Sequence, residues 1–242
     1  MISSVAKIVA AGGDYSKIRF TFQEYFRRMS AEPSSWSQPF AALLGAYHAQ
    51  MGLGLPSIGG KDSMSGTFDH EKGAIHVPPT LVSFAVDVNS SKHIITPELK
   101  KPGSKLALFE IVRDQYDLPD YSQVMEGYGA VFQDIKNGRI ISAYAVEGNG
   151  IAEAVTKMAF GNKLGVKLEN NLEPKDFFAA GWGNLVCEVL EGKVESLSVS
   201  CRVIGEVTDK GIFEYGNTVI TMEEALTAWT GTLENVFPTV SG

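Results

Sequence analysis

Gly59-Gly60-Lys61-Asp62-Ser63-Met64-Ser65 is the stretch on which the reading of this chain turns. Two adjacent glycines free the backbone to turn sharply and to approach a ligand closely. Lys61 offers a mobile positive charge, and Ser63 and Ser65 add small hydroxyl donors. Asp62 offers a hard carboxylate oxygen of the kind Mg²⁺ takes alongside substrate phosphates. The apolar run Leu55-Pro56-Ser57-Ile58 leads in as a short strand, so the seven residues are expected to form a loop. The composition suits a phosphate-and-metal loop. It also suits an ordinary Gly-Ser hairpin turn with a solvated Lys-Asp pair. It is not a Walker A loop, which needs a glycine where Leu55 stands and Ser or Thr where Asp62 stands.

The rest of the composition narrows the field. With 242 residues, 44% hydrophobic and 20% charged, the chain is an ordinary globular protein of one large or two small domains. A net charge of −7 gains nothing from counterion release, so a nucleic-acid partner is not expected. No apolar run reaches membrane-spanning length, and Met-Ile-Ser-Ser-Val-Ala-Lys at the start does not read as a signal peptide. Cys187 and Cys201 make no disulfide framework and read as small buried hydrophobes in a reducing cytosol. His48, His70, His76 and His93 lack the spacing of a zinc site.

Taken in order, residues 1–13 end in the turn Ala10-Ala11-Gly12-Gly13. Ile18, Phe22, Tyr25, Phe26 and Met29 recur every three or four residues, which predicts a helix capped by Asp14 or Ser16. A second helix is expected over about 38–51, with Phe40, Leu43, Leu44, Tyr47 and Met51 buried and glycines at its end. Thr80 to Val88 is nearly continuous in β-formers and reads as a buried strand. Prolines and lysines over 89–103 read as a link between two lobes. Beyond it come a strand over 105–112, a helix over 121–136 stopped by Asn137-Gly138, and a strand over 140–146. Glu147-Gly148-Asn149-Gly150 then opens a helix. This outline fits an anion-binding helix N-terminus or a plain tight connection. Further strands are expected over 164–168, 184–190, 202–208 and 217–221, with a short helix over 174–180. The last helix, 222–229, carries a Thr221–Glu224 capping box. The fold class is α+β with α/β-like layers, in two lobes joined near residue 97.

Three stretches carry a resemblance: Pro56 through Ser65, Val77-Pro78-Pro79 through Ala85, and Ile94 to Lys100. They resemble phosphoribosylformylglycinamidine synthases, of the aminoimidazole-ribonucleotide-synthetase-like superfamily. Gly150 through Lys163 looks like the first helix of that superfamily's C-terminal lobe. The resemblance implies a fragment of the second synthetase half: an incomplete N-terminal lobe over 1–96, a C-terminal lobe over 97–230 and a tail over 231–242. It implies that ATP activates the formamide oxygen of formylglycinamide ribonucleotide, and that ammonia from a glutaminase domain then displaces phosphate. Carried over residue by residue, Asp62 is a Mg²⁺ ligand, and Gly60, Lys61, Ser63 and Ser65 contact phosphate or nucleotide. No catalytic residue is assigned, because neither the family's histidine segment nor a Cys-His glutaminase is present. The expected partners are ATP, the ribonucleotide substrate, the remaining synthetase half and the glutaminase. Uncovered strands near 64–68 and 80–88 also suggest a homodimer of the fragment.

One departure bears on function. Where the family often reads His-Asp-Val-Ser-Asp-Gly-Gly-Leu, this chain has Tyr144-Ala145-Val146-Glu147-Gly148-Asn149-Gly150-Ile151. Only Glu147 and Asn149 remain there as candidate ligands. A scaffold half holding a structural nucleotide, or a kinase-like relative of the same superfamily, are the alternatives.

Overall fold

The computed structural model describes residues 1–170 and 172–238, so the end of the tail expected over 231–242 lies outside the described residues. The first part contains α1 (Ile2–Ala10), β1 (Arg19–Tyr25), α2 (Ser37–Leu53), β2 (Ser57–Ser63), the short pair β3 (Thr67–Phe68) and β4 (Ile75–His76), and β5 (Thr80–Val86). The second runs β6 (Lys105–Phe109), α3 (Tyr121–Lys136), β7 (Ile140–Ala145), α4 (Gly150–Asn162), β8 (Gly165–Leu168) and α5 (Pro174–Phe178). It ends with β9 (Leu185–Val189), β10 (Arg202–Thr208), β11 (Ile212–Tyr215), β12 (Thr218–Thr221) and α6 (Met222–Thr230). One sheet has the order β2-β1-β5, and the other β12-β11-β8-β10-β6-β9-β7. Most pairs are antiparallel, with β1–β2 and β8–β11 parallel, and the fold is α+β.

The two sheets share helix α1. Val5, Ala6 and Val9 are fully buried, and the helix meets β5 on one side and β7 and α3 on the other. Ser4 Oγ lies 2.8 Å from Ser83 Oγ on β5. One apolar cluster therefore joins Val5, Ile18 and Phe20 to Phe109, Tyr128 and Leu185. Alternation along the seven-stranded sheet sends Ala107, Phe109 and Cys187 to that cluster. It sends Leu106, Leu108 and Val186 to a second cluster under α4, with Val155 and Met158.

Several expectations need correction. The helix expected over 14–29 is strand β1, and Asp14 caps only the 3₁₀ turn Tyr15–Lys17 by accepting the Ser16 N–H. Ile18, Phe20 and Phe22 fit a period of two as well as other residues fit the helical period. Pairing with β2 and β5 decides for the strand. Helix α2 forms, but its faces are reversed: Ala46, Ala49 and Leu53 are buried, whereas Phe40, Leu43, Leu44, Tyr47 and Met51 are at least half exposed. Small residues are needed where α2 meets α3. A Cβ on Gly52 would stand 2.3 Å from the Tyr121 ring. The Gly-Gly-Lys-Asp stretch is not a loop but strand β2 itself. Strand β5 forms with one side packed, and the other exposes Phe84 and Val86. Helix α1 and strand β11 were not foreseen. By contrast α3, β10 and the Thr221–Glu224 capping box of α6 stand where the sequence put them.

The proline- and lysine-rich segment is held down. Leu99 is fully buried and donates its N–H to the Met158 carbonyl at 2.9 Å. The Glu188 carboxylate, fully buried on β9, accepts the N–H groups of Lys100 at 2.8 Å and Lys101 at 2.9 Å. Burial raises the Glu188 pKa above the ordinary 4.5, against the lowering effect of those N–H groups. Glu188→Ala leaves two N–H groups unpaired and should cost roughly 1–3 kcal/mol, read by urea denaturation. The native state holds the Glu188 proton more tightly than the unfolded chain. Stability should therefore fall as pH rises from 4.5 through the raised value, and Glu188→Ala should lack that fall.

Candidate functional site

Strand β2 is an edge strand, and its geometry sorts the residues singled out in the sequence. It pairs in parallel with β1, setting Gly60 beside Phe22, Lys61 beside Gln23, Asp62 beside Glu24 and Ser63 beside Tyr25. Glycine is required at 60: a Cβ there would lie 2.5 Å from the Phe22 carbonyl oxygen. Alternation then splits the set between two faces. Gly60 and Asp62 share the face of Phe20, Phe22 and Glu24. Lys61 and Ser63 share the opposite face with Gln23 and Tyr25. The Lys61 ammonium sits 4.8 Å from the centre of the Tyr25 ring, a cation–π contact. Ser63 is half-buried, and Ser65 lies exposed beyond the end of the strand.

The register adds a residue that the sequence reading missed. Glu24 is the direct neighbour of Asp62, and both carboxylates project from one face. Partial burial, and then the Asp62 charge beside it, push the Glu24 pKa up. The helix expected over this stretch gives Glu24 no cross-strand neighbour, whereas strand β1 gives it Asp62. Among the described residues no group of three or more His, Cys, Asp or Glu gathers as a metal cage. Two adjacent carboxylates nevertheless match the way Mg²⁺ is held, by one or two carboxylates plus phosphate oxygens. Their mutual repulsion is a charge imbalance that a dication relieves, so these residues fit the ion.

The second loop is differently equipped. Glu147 is engaged by Lys7 of α1 at 2.7 Å. Gly150, with φ 71°, opens α4 against α5, where a Cβ would stand 2.4 Å from the Phe177 carbonyl oxygen. Glu153 lies in the first turn of α4, paired with Lys157 at 2.5 Å. Its pKa is lowered first by the hydrogen bond from Lys157 and further by hydrogen bonds with Asn149. Two carboxylates thus stand at the helix N-terminus, where an incoming phosphate would meet like charge. A cavity of 290 Å³ lies beside this loop, walled by Lys7, Ala11, Ile95, Pro97, Tyr144 and Glu147. A larger one, 660 Å³, opens between α4, β12 and α6 beside Phe160 and Trp229. Of the candidate site residues in the sequence, Asn149 lines it, whereas Gly60, Lys61, Asp62, Ser63 and Ser65 do not.

This architecture has known counterparts. Phosphoribosylformylglycinamidine synthase II (PurL) of Thermotoga maritima, solved with AMPPCP, matches at TM-score 0.65 and 13% identity, over 93% of this chain and 40% of PurL. The chain shares its fold with these PurL structures. A chain of the HypE–HypF complex matches at TM-score 0.59 and 13% identity, over 90% of this chain and 83% of that one. Thiamine monophosphate kinase of Aquifex aeolicus matches at TM-score 0.60 and 11% identity, over 90% and 79%. PurL has also been solved with ATP, with ADP and with FGAR. No family model matches the sequence. The chain spans about 40% of the length of PurL.

Asp62→Asn should bring the Glu24 pKa partway back toward its ordinary value, leaving the part due to burial, as read by carboxyl NMR titration. An unchanged Glu24 titration would mean that the two carboxylates do not interact.

Proposed function

We propose that this chain is part of an ATP-dependent synthetase that converts formylglycinamide ribonucleotide, ammonia and ATP to the amidine, ADP and phosphate. The observation that carries this reading is the Glu24–Asp62 carboxylate pair on an exposed sheet edge, in a fold shared with a nucleotide-bound PurL. In this reading Asp62 and Glu24 hold Mg²⁺, and Gly60 lets β2 close on β1 so that the two carboxylates stand side by side. Mg²⁺, when bound, would neutralise phosphate charge and polarise the γ-phosphoryl group. Lys61 and Ser63 face the other way and would meet a nucleotide only around the edge of β2. Ser65 would meet it only past the strand's end. We infer an N-terminal lobe over 1–96 and a C-terminal lobe over 97–230, in a cytoplasmic enzyme whose ammonia comes from a glutaminase partner. The open side of the β2-β1-β5 sheet, with Phe84 and Val86, is where the remaining synthetase half would pair.

A second reading has its own support. Glu147 and Glu153 at the α4 N-terminus are paired with lysines of this chain, which suits a scaffold half holding a nucleotide without turning it over. The kinase-like reading draws on the larger share of thiamine monophosphate kinase that the chain spans. No helix among the described residues is long and apolar enough to cross a membrane.

The test uses the complete enzyme. Asp62→Asn should weaken Mg²⁺-dependent AMPPCP binding and lower turnover by at least ~10-fold, about 1.4 kcal/mol. Folding stability should move by no more than about 0.5 kcal/mol. Weakened binding with unchanged turnover would instead favour the scaffold, and ADP release that ignores ammonium would favour a kinase. The chain alone should make no amidine, and ADP release should return when the missing half is added.

A further inference from the structure

Helix α2 is a surface helix without a surface helix's composition. Residues 37–53, Ser-Gln-Pro-Phe-Ala-Ala-Leu-Leu-Gly-Ala-Tyr-His-Ala-Gln-Met-Gly-Leu, contain no Asp, Glu, Lys or Arg. A helix that is apolar all round belongs in an interior. Here one face is covered by the rest of the chain, through Pro39, Ala46, Ala49 and Leu53. The other carries Trp36 at the N-cap, then Phe40, Leu43, Leu44, Tyr47 and Met51, exposed by 49% to 65%. At 3.6 residues per turn these six side chains fall within an arc of roughly 100°. They form one continuous stripe, and contiguous apolar patches on this scale mark interaction sites.

The spacing of the stripe indicates its partner. The intervals from Trp36 to Met51 are four, three, one, three and four residues, the same in both directions. An identical helix laid antiparallel across a twofold axis between Leu43 and Leu44 sets large against large at every step. Trp36 would meet Met51, Phe40 would meet Tyr47, and Leu43 would meet Leu44. Aromatic pairs and sulfur–aromatic contacts are favourable beyond the area they bury. Charge points the same way. Two copies of a chain of net charge −7 repel in general, but this stripe brings no charged side chain to the contact. The geometry points to α2 as an isologous interface, occupied by the α2 of a second copy of this chain. This surface is distinct from the open sheet face, where the proposed synthetase half would pair.

Sedimentation velocity of the full chain over a concentration series tests the inference, with Leu44→Glu and Phe84→Glu alongside. The wild type should dimerise, Leu44→Glu should raise the dissociation constant by at least ~10-fold, and Phe84→Glu should leave it unchanged. Leu44 is half exposed, so the variant should fold, which circular dichroism would verify. Orientation is read by mixing Trp36→Cys and Met51→Cys proteins under oxidation. A disulfide-linked heterodimer should form in the mixture and in neither variant alone. A wild type that stays monomeric overturns the inference. So does a dimer indifferent to Leu44→Glu. Dissociation by Phe84→Glu and not by Leu44→Glu would assign the contact to the sheet face, and binding only by an added synthetase half would assign the stripe to that partner.

Discussion

The burial of α1 on both sides is the constraint on which this fold rests. A helix packed on one sheet can keep a polar back, but this one has a sheet on each side. Val5, Ala6 and Val9 are fully buried between them. Its one lysine in the buried stretch, Lys7, extends its stem to the margin and places its charge on Glu147. The face that each sheet turns to the helix has no closed core without it. The β2-β1-β5 sheet has only this side to pack, and the β6, β7 and β9 side chains facing α1 belong to the same cluster. The position of β1, and so of Glu24 beside Asp62, follows from Phe20 packing into that shared core.

The chemistry follows from a second constraint, the alternation of an extended strand. Had residues 59–65 been a loop, Lys61, Asp62 and Ser63 could have closed on one ligand together. As a strand they cannot, because successive side chains leave opposite faces. What the strand offers instead is register: Asp62 gains a carboxylate from a residue 38 positions earlier in the chain, counted as 62 minus 24. The cation of the stretch is drawn to the Tyr25 ring on the far face. The site is thus more acidic, and narrower, than the linear string Gly-Gly-Lys-Asp-Ser suggests.

Much of the C-terminal part was legible because its signals are local. Asn137 and Gly138 end α3, and the Thr221 box starts α6; the Asp120 cap of α3, through the Ser122 and Gln123 N–H groups, is seen only in the structure. The N-terminal part was misread where two periods coexist. Residues 18–29 satisfy the helical spacing and the strand spacing at once, and only the neighbours β2 and β5 choose. In α2 the large apolar residues face outward, so size alone does not mark the buried face. At the contact with α3, closeness mattered more than size, so alanines and glycine went inside. For the candidate site, Asp62 and Gly60 were visible as residue types, but their grouping depends on a pairing between distant segments that no local pattern records.

The order β12-β11-β8-β10-β6-β9-β7 also sets a timetable for biosynthesis. Strand β6 leaves the ribosome early, yet its two neighbours, β9 and β10, begin at Leu185 and Arg202. At roughly 5–20 residues per second, β6 waits on the order of ten seconds for the strands that flank it. During that interval α1 has no second sheet to lie against, and the uncharged α2 is already exposed to solvent or to chaperones. The nascent chain is therefore at its most adhesive midway through translation. Its rescue depends on a strand encoded in the last fifth of the sequence.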